Sequence, residues 1–287
     1  MVRIEKECRP GAPSGLPLAG TTSSFRDMNM GTKKLSALVV AHNEEDYLED
    51  CLASLAFADD VVVVLDRCTD RSKEIAERAG VNVIEGAWEI EGERRNLGIQ
   101  ACKGDWIVEV DADERVTDGL AAEIRTHIET AAAGVYAIPV RNFIGDKEVV
   151  HGWGAYIGVN SANRLFTPGE KRWGMQRVHP SIELSGASGR LKHGLIHLVD
   201  RDLAETFARV NRYTTLAARD AVADNNDPSL FKAFRHIFSR SWKLFVHRGG
   251  YKEGIYGLAL ALCAGTYTLQ IYLKCKEIRR AQAGKLR

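Results

Sequence analysis

A chain of 287 residues with 45% hydrophobic and 27% charged residues has the composition of a globular protein and can bury a sizeable core. Its net charge of +1 is unevenly spread: residues 228–287 carry 12 Lys and Arg against 2 Asp and Glu, so residues 1–227 are acidic. The six cysteines form no CxxC pair, which argues against a structural zinc site or a disulfide framework.

Residues 1–32 are predicted to be a disordered leader, because they lack a signal-peptide pattern and contain three of the seven prolines. From residue 33 onward, short apolar runs alternate with stretches of helical periodicity. The predicted strands are 35–41, 60–65, 81–85 and 105–110, and the predicted helices are 47–55, 69–79 and 91–101. This alternation is typical of βαβ units and predicts a mostly parallel α/β sheet.

Polar side chains follow these strands at their carboxyl ends. Asn43 and Glu44 follow the first strand, Asp66 follows the second, and Asp111 and Asp113 follow the run that ends at residue 110. Ligands of open α/β sheets bind outside the carboxyl ends of the strands. Two carboxylates there suit a hard divalent cation that also binds nucleotide phosphates. Each position could instead be an ordinary polar turn or helix cap, but three such clusters on one edge favour a nucleotide site.

The second half of the chain has fewer regular patterns. A helix is predicted over 117–133 with Thr117 or Asp118 as its cap, followed by a strand over 135–140. The stretch 150–180 is rich in Gly and Trp and is predicted to be mostly loop. A further helix is predicted over 203–224, and Asn225-Asn226-Asp227-Pro228 ends it.

The basic tail contains an amphipathic pattern. Apolar side chains recur at spacings of three and four in residues 230–248, namely Phe231, Phe234, Ile237, Phe238, Trp242 and Phe245. Residues 254–273 follow without a charge. A basic amphipathic helix predicts an element at an anionic membrane surface. A spanning helix and a helical hairpin packed on the catalytic domain are the alternatives. Nucleic-acid binding is not expected, because the aromatic residues form an apolar stripe and no stacking surface.

Four stretches in order resemble glycosyltransferase family 2, the inverting enzymes of GT-A fold: ALVVAHNEEDYLEDCLASL, VVVVLDRCTDRSKEIA, ERRNLGI and GDWIVEVDADERVT. Downstream, RNFIGDKEVVHGWG, RLF, RVHPSI and RYTTLAARD are similar to the heptose glucosyltransferases of the lipopolysaccharide core. The resemblance implies a nucleotide-sugar donor, most often UDP-linked, and Mg²⁺ or Mn²⁺ as cofactor.

The resemblance also implies roles for individual residues. Those expected to bind the nucleotide or its diphosphate are Asn43, Glu44, Asp66, Arg94, Arg95, Asn96 and Asp111, with Asp111 and Asp113 as metal ligands. His179 is expected to contact the acceptor or the diphosphate. Relatives commonly have His-Glu where this chain has His179-Pro180, so the catalytic base needs another candidate. Glu183 is the first choice. Glu114 is also a candidate catalytic residue, but beside the metal motif it is expected to support the metal ligands, and Asp146 and His151 are weaker candidates for the base.

These observations predict a GT-A type, mostly parallel nucleotide-binding sheet flanked by helices, with a C-terminal amphipathic helical region that associates with membranes. The predicted boundaries are a leader at 1–32, a catalytic domain at 33–227 with halves 33–115 and 116–227, and a basic tail at 228–287. The expected reaction moves a sugar, expected to be a hexose, from a nucleotide sugar to a lipid-linked saccharide such as lipopolysaccharide core. The expected location is the cytoplasmic face of the inner membrane, held peripherally, or the cytoplasm if the tail packs on the catalytic domain. Transfer to a polyprenyl phosphate and a non-catalytic sugar-nucleotide-binding scaffold are the alternatives.

Overall fold

The structure is a computed structural model that describes residues 32–154, 158–176 and 181–284. The predicted leader, apart from its last residue, lies outside the described residues. From Lys33 onward the chain forms one compact unit. The predicted divisions after residues 115 and 227 stay predictions.

The first part of the compact unit is an alternating α/β layer. Its elements are β1 (Leu35–Ala41), α1 (Leu48–Ser54), β2 (Asp60–Asp66), α2 (Ser72–Arg78), β3 (Asn82–Gly86), α3 (Glu91–Ala101) and β4 (Trp106–Asp111). The strands pair in parallel in the order β3-β2-β1-β4. All seven predicted elements are confirmed, because long apolar runs buried on both faces leave few alternatives to a central parallel strand.

The second part extends this sheet with shorter strands. It contains β5 (Glu114–Arg115), α4 (Asp118–Thr130), β6 (Gly134–Ile144), β7 (Lys147–Glu148), β8 (Ser161–Phe166), β9 (Lys171–Trp173), β10 (Ile182–Leu184), β11 (Ala187–Arg190) and β12 (Leu195–Asp200). The sheet continues from β4 through β8, β6 and β12 to β5, and β9 and β10 form a separate antiparallel ribbon. Thr117 caps α4, where its side chain accepts a hydrogen bond from the backbone nitrogen of Leu120.

The prediction that 150–180 is mostly loop was wrong for its central part. β8 lies between β4 and β6 and is antiparallel to both, with Leu165 and Phe166 fully buried. The first half of this strand is Ser161-Ala162-Asn163 and Arg164 follows, so the segment lacks the apolar run that identifies a buried strand in sequence.

Helix α5 and the helices of the tail pack on the second part of the unit. The elements are α5 (Leu203–Ala223), α6 (Leu230–Trp242), a π-helical turn at Lys243–His247, a 3₁₀ turn at Gly250–Glu253, and α7 (Ile255–Gly284). A second hydrophobic core joins α5 and α7 to residues 144–153, with Trp153 and Leu260 at its centre. By length and composition α7 could cross a membrane, yet half of its most apolar window is buried against the rest of the fold.

Candidate active site

The carboxyl end of β2 is fixed by a buried carboxylate. Asp66 is fully buried and accepts hydrogen bonds from Arg67, from the backbone nitrogen of Trp88 at 3.0 Å, and from Arg94. Burial opposes ionisation, but these donors outweigh it and hold the pKa of Asp66 below its usual range. Asp66 therefore stays anionic and joins the end of β2 to α3; its predicted contact with a base or ribose stays a prediction.

Consecutive arginines of α3 join the ends of two strands. Arg94 contacts Asp66 at the end of β2, whereas Arg95 contacts Asp111 at the end of β4, with nitrogen–oxygen distances of 3.2 Å. Asn96 exchanges two hydrogen bonds with the backbone of Trp173, at 2.8 and 2.9 Å. All three predicted residues therefore lie beside the strand ends, and Asn96 attaches the β9–β10 ribbon to α3.

A buried ion-pair network supports the two aspartates of the sheet edge. Glu109 in β4 is fully buried and is paired with Arg95 and Lys171. Burial raises the pKa of Glu109, but Lys171 and then Arg95 lower it more, so it is about 2. One layer closer to the surface, Arg164 of β8 contacts Asp111 and, at 2.9 Å, Glu114.

Glu114 lies below the site and does not reach solvent. It is 2% exposed, and its Oε2 accepts a hydrogen bond from the backbone nitrogen of Asp111 at 2.8 Å. Burial, opposed by Arg164 and assisted by Asp111, raises the pKa of Glu114 to about 7. This position favours a supporting role for Glu114 beneath Asp111 over that of a catalytic base.

Asp113 faces a histidine that the sequence analysis did not identify. The Nε2 atom of His197 in β12 lies 3.3 Å from Oδ2 of Asp113. The other ring nitrogen, Nδ1, lies 2.8 Å from Oδ1 of the buried Asn142 in β6, which fixes the ring orientation. Burial lowers the pKa of His197, but the hydrogen bond and charge of Asp113 raise it more, so the net shift is upward.

The loop after β1 brings another carboxylate to the same place. Asn43 adopts a left-handed conformation (φ 57°), and its side chain accepts a hydrogen bond from the backbone nitrogen of Thr69 at 2.7 Å. The next residue, Glu44, is held by a bond from its backbone nitrogen to Ser72 Oγ at 3.0 Å. Burial, and then the charges of Asp113 and Asp111, raise the pKa of Glu44 to about 7. Glu44 and both aspartates therefore share one electrostatic environment.

The donor atoms at this edge fit a divalent cation at Asp113 better than at Asp111. Asp113 is 33% exposed, and with His197 it presents one oxygen and one nitrogen donor, a set that suits a transition metal such as Mn²⁺ better than Mg²⁺. Both carboxylate oxygens of Asp111 instead contact arginines. Among the described residues no group of three or more His, Cys, Asp or Glu side chains converges on one point. A cation here would therefore take its remaining ligands from a substrate and water.

The candidate bases are spread over several elements. Glu183 is exposed on β10, opposite Arg172 of β9. His179 lies outside the described residues. His151 bonds Glu253 at 2.7 Å, which ties it to the tail. The catalytic base is not identified by these positions, and Glu183 stays a prediction.

Sequence reasoning missed Arg164 and His197 because both lie in short strands that were not predicted. His197 interrupts the apolar run of β12, LIHLVD, and a lone histidine in such a run is usually a core residue. One signal could have identified His197. It is a polar side chain inside a stretch of strand-like apolar residues, at the sheet edge that carries the acidic motif. Arg164 stands in the recognised RLF motif, but its strand was not predicted.

The domain model described as Glycosyl transferase family 2 matches residues 36–188, more than half of the chain. Among the similar curated proteins, the lipopolysaccharide core biosynthesis glycosyltransferase LpsC of Rhizobium meliloti is 25% identical over 268 residues, covering 88% of this chain and 94% of LpsC. An uncharacterized glycosyltransferase of Rickettsia bellii is 24% identical over 270 residues, covering 88% of this chain and 91% of that protein.

Two solved structures show a weaker likeness. The S. aureus protein TarS has a TM-score of 0.43 and 19% identity, covering 77% of this chain and 46% of the TarS chain. Glucosyl-3-phosphoglycerate synthase from Mycobacterium tuberculosis, in complex with Mn²⁺, UDP and glucosyl-3-phosphoglycerate, has a TM-score of 0.32 and 21% identity, covering 39% and 44%. The chain matches less than half the length of each of these two solved chains.

Proposed function

The chain belongs to glycosyl transferase family 2, and from this premise we propose that it is an inverting, metal-dependent enzyme that transfers a hexose from a UDP-sugar to a lipid-linked saccharide such as lipopolysaccharide core. The mostly parallel α/β sheet agrees with the GT-A fold of that family. The coarser statement, that the chain is a glycosyltransferase, follows from the family itself.

One observation supports the reaction most directly. Asp113 and His197 approach within 3.3 Å at the carboxyl edge of the sheet, where Glu44, Asp66 and Asp111 also lie. This is the edge at which open α/β sheets bind nucleotides. A non-catalytic scaffold would not require a histidine whose second nitrogen is fixed by a buried asparagine, an arrangement typical of metal ligands.

Different residues would have different roles in sugar transfer. Asp113 and His197 would hold the cation, which when bound supplies Lewis-acid neutralisation of the charge on the leaving diphosphate. Arg164 and Arg95 pair with Asp111 and keep it ionised, so it would lie beside the proposed cation as a negative charge that attracts it. A carboxylate on the acceptor side, for which we propose Glu183, would take the proton of the attacking hydroxyl.

The acceptor proposal rests on the relative and on the tail. LpsC, which the chain matches over nearly its whole length, is described as a lipopolysaccharide core biosynthesis glycosyltransferase. The basic helical tail would hold the enzyme peripherally at the anionic cytoplasmic face of the inner membrane, close to a lipid-borne acceptor. The alternative acceptor is polyprenyl phosphate. An assay that supplies each of the two acceptors with the same radiolabelled donor would show which of them receives the sugar.

The cation site can be tested apart from turnover. Asn142→Ala removes the acceptor that orients His197, so Mn²⁺ affinity measured by calorimetry with UDP present should fall about 10- to 100-fold. The matched control is His193→Ala, which removes an exposed histidine paired with Glu123 and should leave Mn²⁺ affinity unchanged. Unchanged affinity in the Asn142 variant would refute the assignment of His197 to the cation.

The donor and base proposals need separate measurements. A thermal-shift screen of nucleotide sugars with Mn²⁺ should show the largest stabilisation with a UDP-hexose, since a ligand of the folded state raises its apparent stability.

Glu183→Gln should abolish transfer while the UDP-sugar still stabilises the protein. Turnover near that of the wild type would remove Glu183 from the mechanism.

A further inference from the structure

Packing exposes only part of the amphipathic pattern of α6. Ala233 and His236 are buried, and Ile237 and Phe245 are partly buried. Four aromatic side chains of the same helix remain in solvent, with exposed fractions of 80% for Phe231, 51% for Phe234, 74% for Phe238 and 67% for Trp242. Large aromatic side chains left in solvent in one row mark an interaction surface.

The helices α6 and α7 pack as an antiparallel pair, and this fixes where a second exposed row lies. Ser241 of α6 bonds the carbonyl of Ala261 in α7, and the next residue of each helix, Trp242 and Leu262, is exposed. One residue corresponds to a rotation of about 100° in the same sense around each helix. Because the helices are antiparallel, equal rotations away from their contact carry Trp242 and Leu262 to the same side of the pair.

The exposed apolar residues of both helices therefore form one surface, which we call the docking face. Its members are Phe231, Phe234, Phe238, Trp242, Leu258 and Leu262, all of them exposed. The antiparallel register is independently fixed by His236, whose Nδ1 lies 2.8 Å from Thr268 Oγ1 farther along α7.

The charge next to the docking face identifies its partner. Residues 229–252 contain six Lys and Arg and neither Asp nor Glu. Lys232, Arg235 and Lys243 are exposed on α6 and border the aromatic row on the side away from α7. Aromatic side chains bordered by long cations match the interface of an anionic lipid bilayer, where rings enter the headgroup region and cations contact phosphates.

We propose that the docking face is the surface by which this protein lies on an anionic lipid bilayer, with α6 and α7 parallel to the membrane plane. The proposal rests on the lipid-linked acceptor of the proposed function and specifies the face that meets the lipid. The α6–α7 turn also contacts residues 150–151, in the half of the chain predicted to bind the acceptor. Glu253 accepts bonds from the backbone nitrogens of Val150 and His151 at 3.1 and 3.0 Å, so docking would place residues 150–153 at the membrane.

Vesicle flotation tests the docking face without donor or acceptor. The full chain should float with phosphatidylglycerol–phosphatidylcholine vesicles at low salt and remain free with phosphatidylcholine alone. The double variant F238S/W242S should lower the bound-to-free ratio by about tenfold or more. The triple variant K232Q/R235Q/K243Q should remove most of the salt dependence. The control is F207S, which alters a half-exposed aromatic side chain on α5, outside the docking face, and should float like the wild type.

Circular dichroism and UDP release in the absence of vesicles should be the same for every variant and the wild type, because the substituted side chains are exposed and lie outside the candidate site. Flotation that is unchanged in F238S/W242S, or equally reduced in F207S, would overturn the assignment. Retention on membranes after an alkaline carbonate wash would also overturn it, since that result requires α7 to span the bilayer. Normal flotation without UDP release would instead refute the proposed sugar transfer and leave the docking face standing.

Discussion

At the scale of single residues, the site is built on charges that are removed from water. Glu109 is fully buried and Lys171 nearly so, and each is the other's closest charged partner. A buried ion pair adds little stability relative to an apolar pair, but the loss of one member leaves a charge without compensation. These residues therefore contribute more to the fixed geometry of the site than to the free energy of unfolding.

Lys171→Met should lower the free energy of unfolding by about 3–5 kcal/mol, because Glu109 would retain only Arg95 as a close partner. Urea denaturation measures this loss. The double variant Lys171→Met/Glu109→Leu should recover most of it, since both charges are then absent. Lys192→Met, at an exposed lysine, is the matched control and should change stability by less than about 0.5 kcal/mol. A Lys171 variant as stable as this control would contradict the buried-pair argument.

At the scale of elements, the α6–α7 hairpin depends on close backbone approach. A Cβ atom at Gly257 would lie 1.8 Å from the carbonyl oxygen of Gly250, whereas one at Gly284, in the same helix, would meet nothing within 4 Å. The same substitution, Gly→Ala, should therefore disrupt the packing of the hairpin at Gly257 and leave it intact at Gly284.

Gly257→Ala should destabilise the protein by about 1–3 kcal/mol, because backbone atoms cannot move aside and the overpacking exceeds the gain in helix propensity. Gly284→Ala should be neutral or slightly stabilising, since it gains propensity without a clash. Urea denaturation of both variants gives the comparison. Equal effects of the two substitutions would show that α7 does not approach the Gly250–Glu253 turn as closely as described.

The same hairpin should respond to acid through His236. Burial, and then the positive charges of Arg240, Arg235 and Lys232, hold the pKa of His236 below 6.5. The unfolded chain therefore binds a proton at His236 more readily than the folded chain does. The contribution of neutral His236 to stability is present above pH 6.5 and is lost as the pH falls through the folded pKa. The difference in unfolding free energy between wild type and His236→Gln should shrink or change sign between about pH 7.5 and about pH 5.5. A difference that is constant over this range would exclude His236 as the titrating group.

Sequence patterns predicted the elements that bury apolar side chains at regular intervals and missed those that do not. β1, β2 and β4 are mostly apolar runs, whereas β8 begins with Ser-Ala-Asn and carries Arg164. The predicted site residues share one sheet edge because parallel strands end together. His197 could not be placed there from spacing, because β12 joins the sheet through β6 and meets Asp113 only after both parts have packed.

At the scale of the whole molecule, the tail shares one core with residues between Ile144 and Val210. Ile144, Val149, Trp153 and Val210 are buried together with side chains of α7 and of the turn before it. A shared core implies that these parts unfold together even though the sequence divides them at residue 227 by charge.

A chain that ends at Asp227 should expose this apolar surface and be insoluble or lack a cooperative unfolding transition. The full chain should unfold in one calorimetric transition, with the van't Hoff enthalpy equal to the calorimetric enthalpy. A soluble fragment that unfolds at the temperature of the full chain would establish the tail as a separate unit.

The position of β8 has a consequence for how the protein is made. β4 pairs with β1 on one side and with β8 on the other, and β8 begins fifty residues after β4 ends. While the ribosome synthesises those residues, the nascent chain presents the Trp106–Val110 edge without a partner, and bare apolar edges recruit other strands. In cells that overproduce the protein, each nascent chain should therefore need chaperones most strongly before its Phe166 emerges from the ribosomal tunnel.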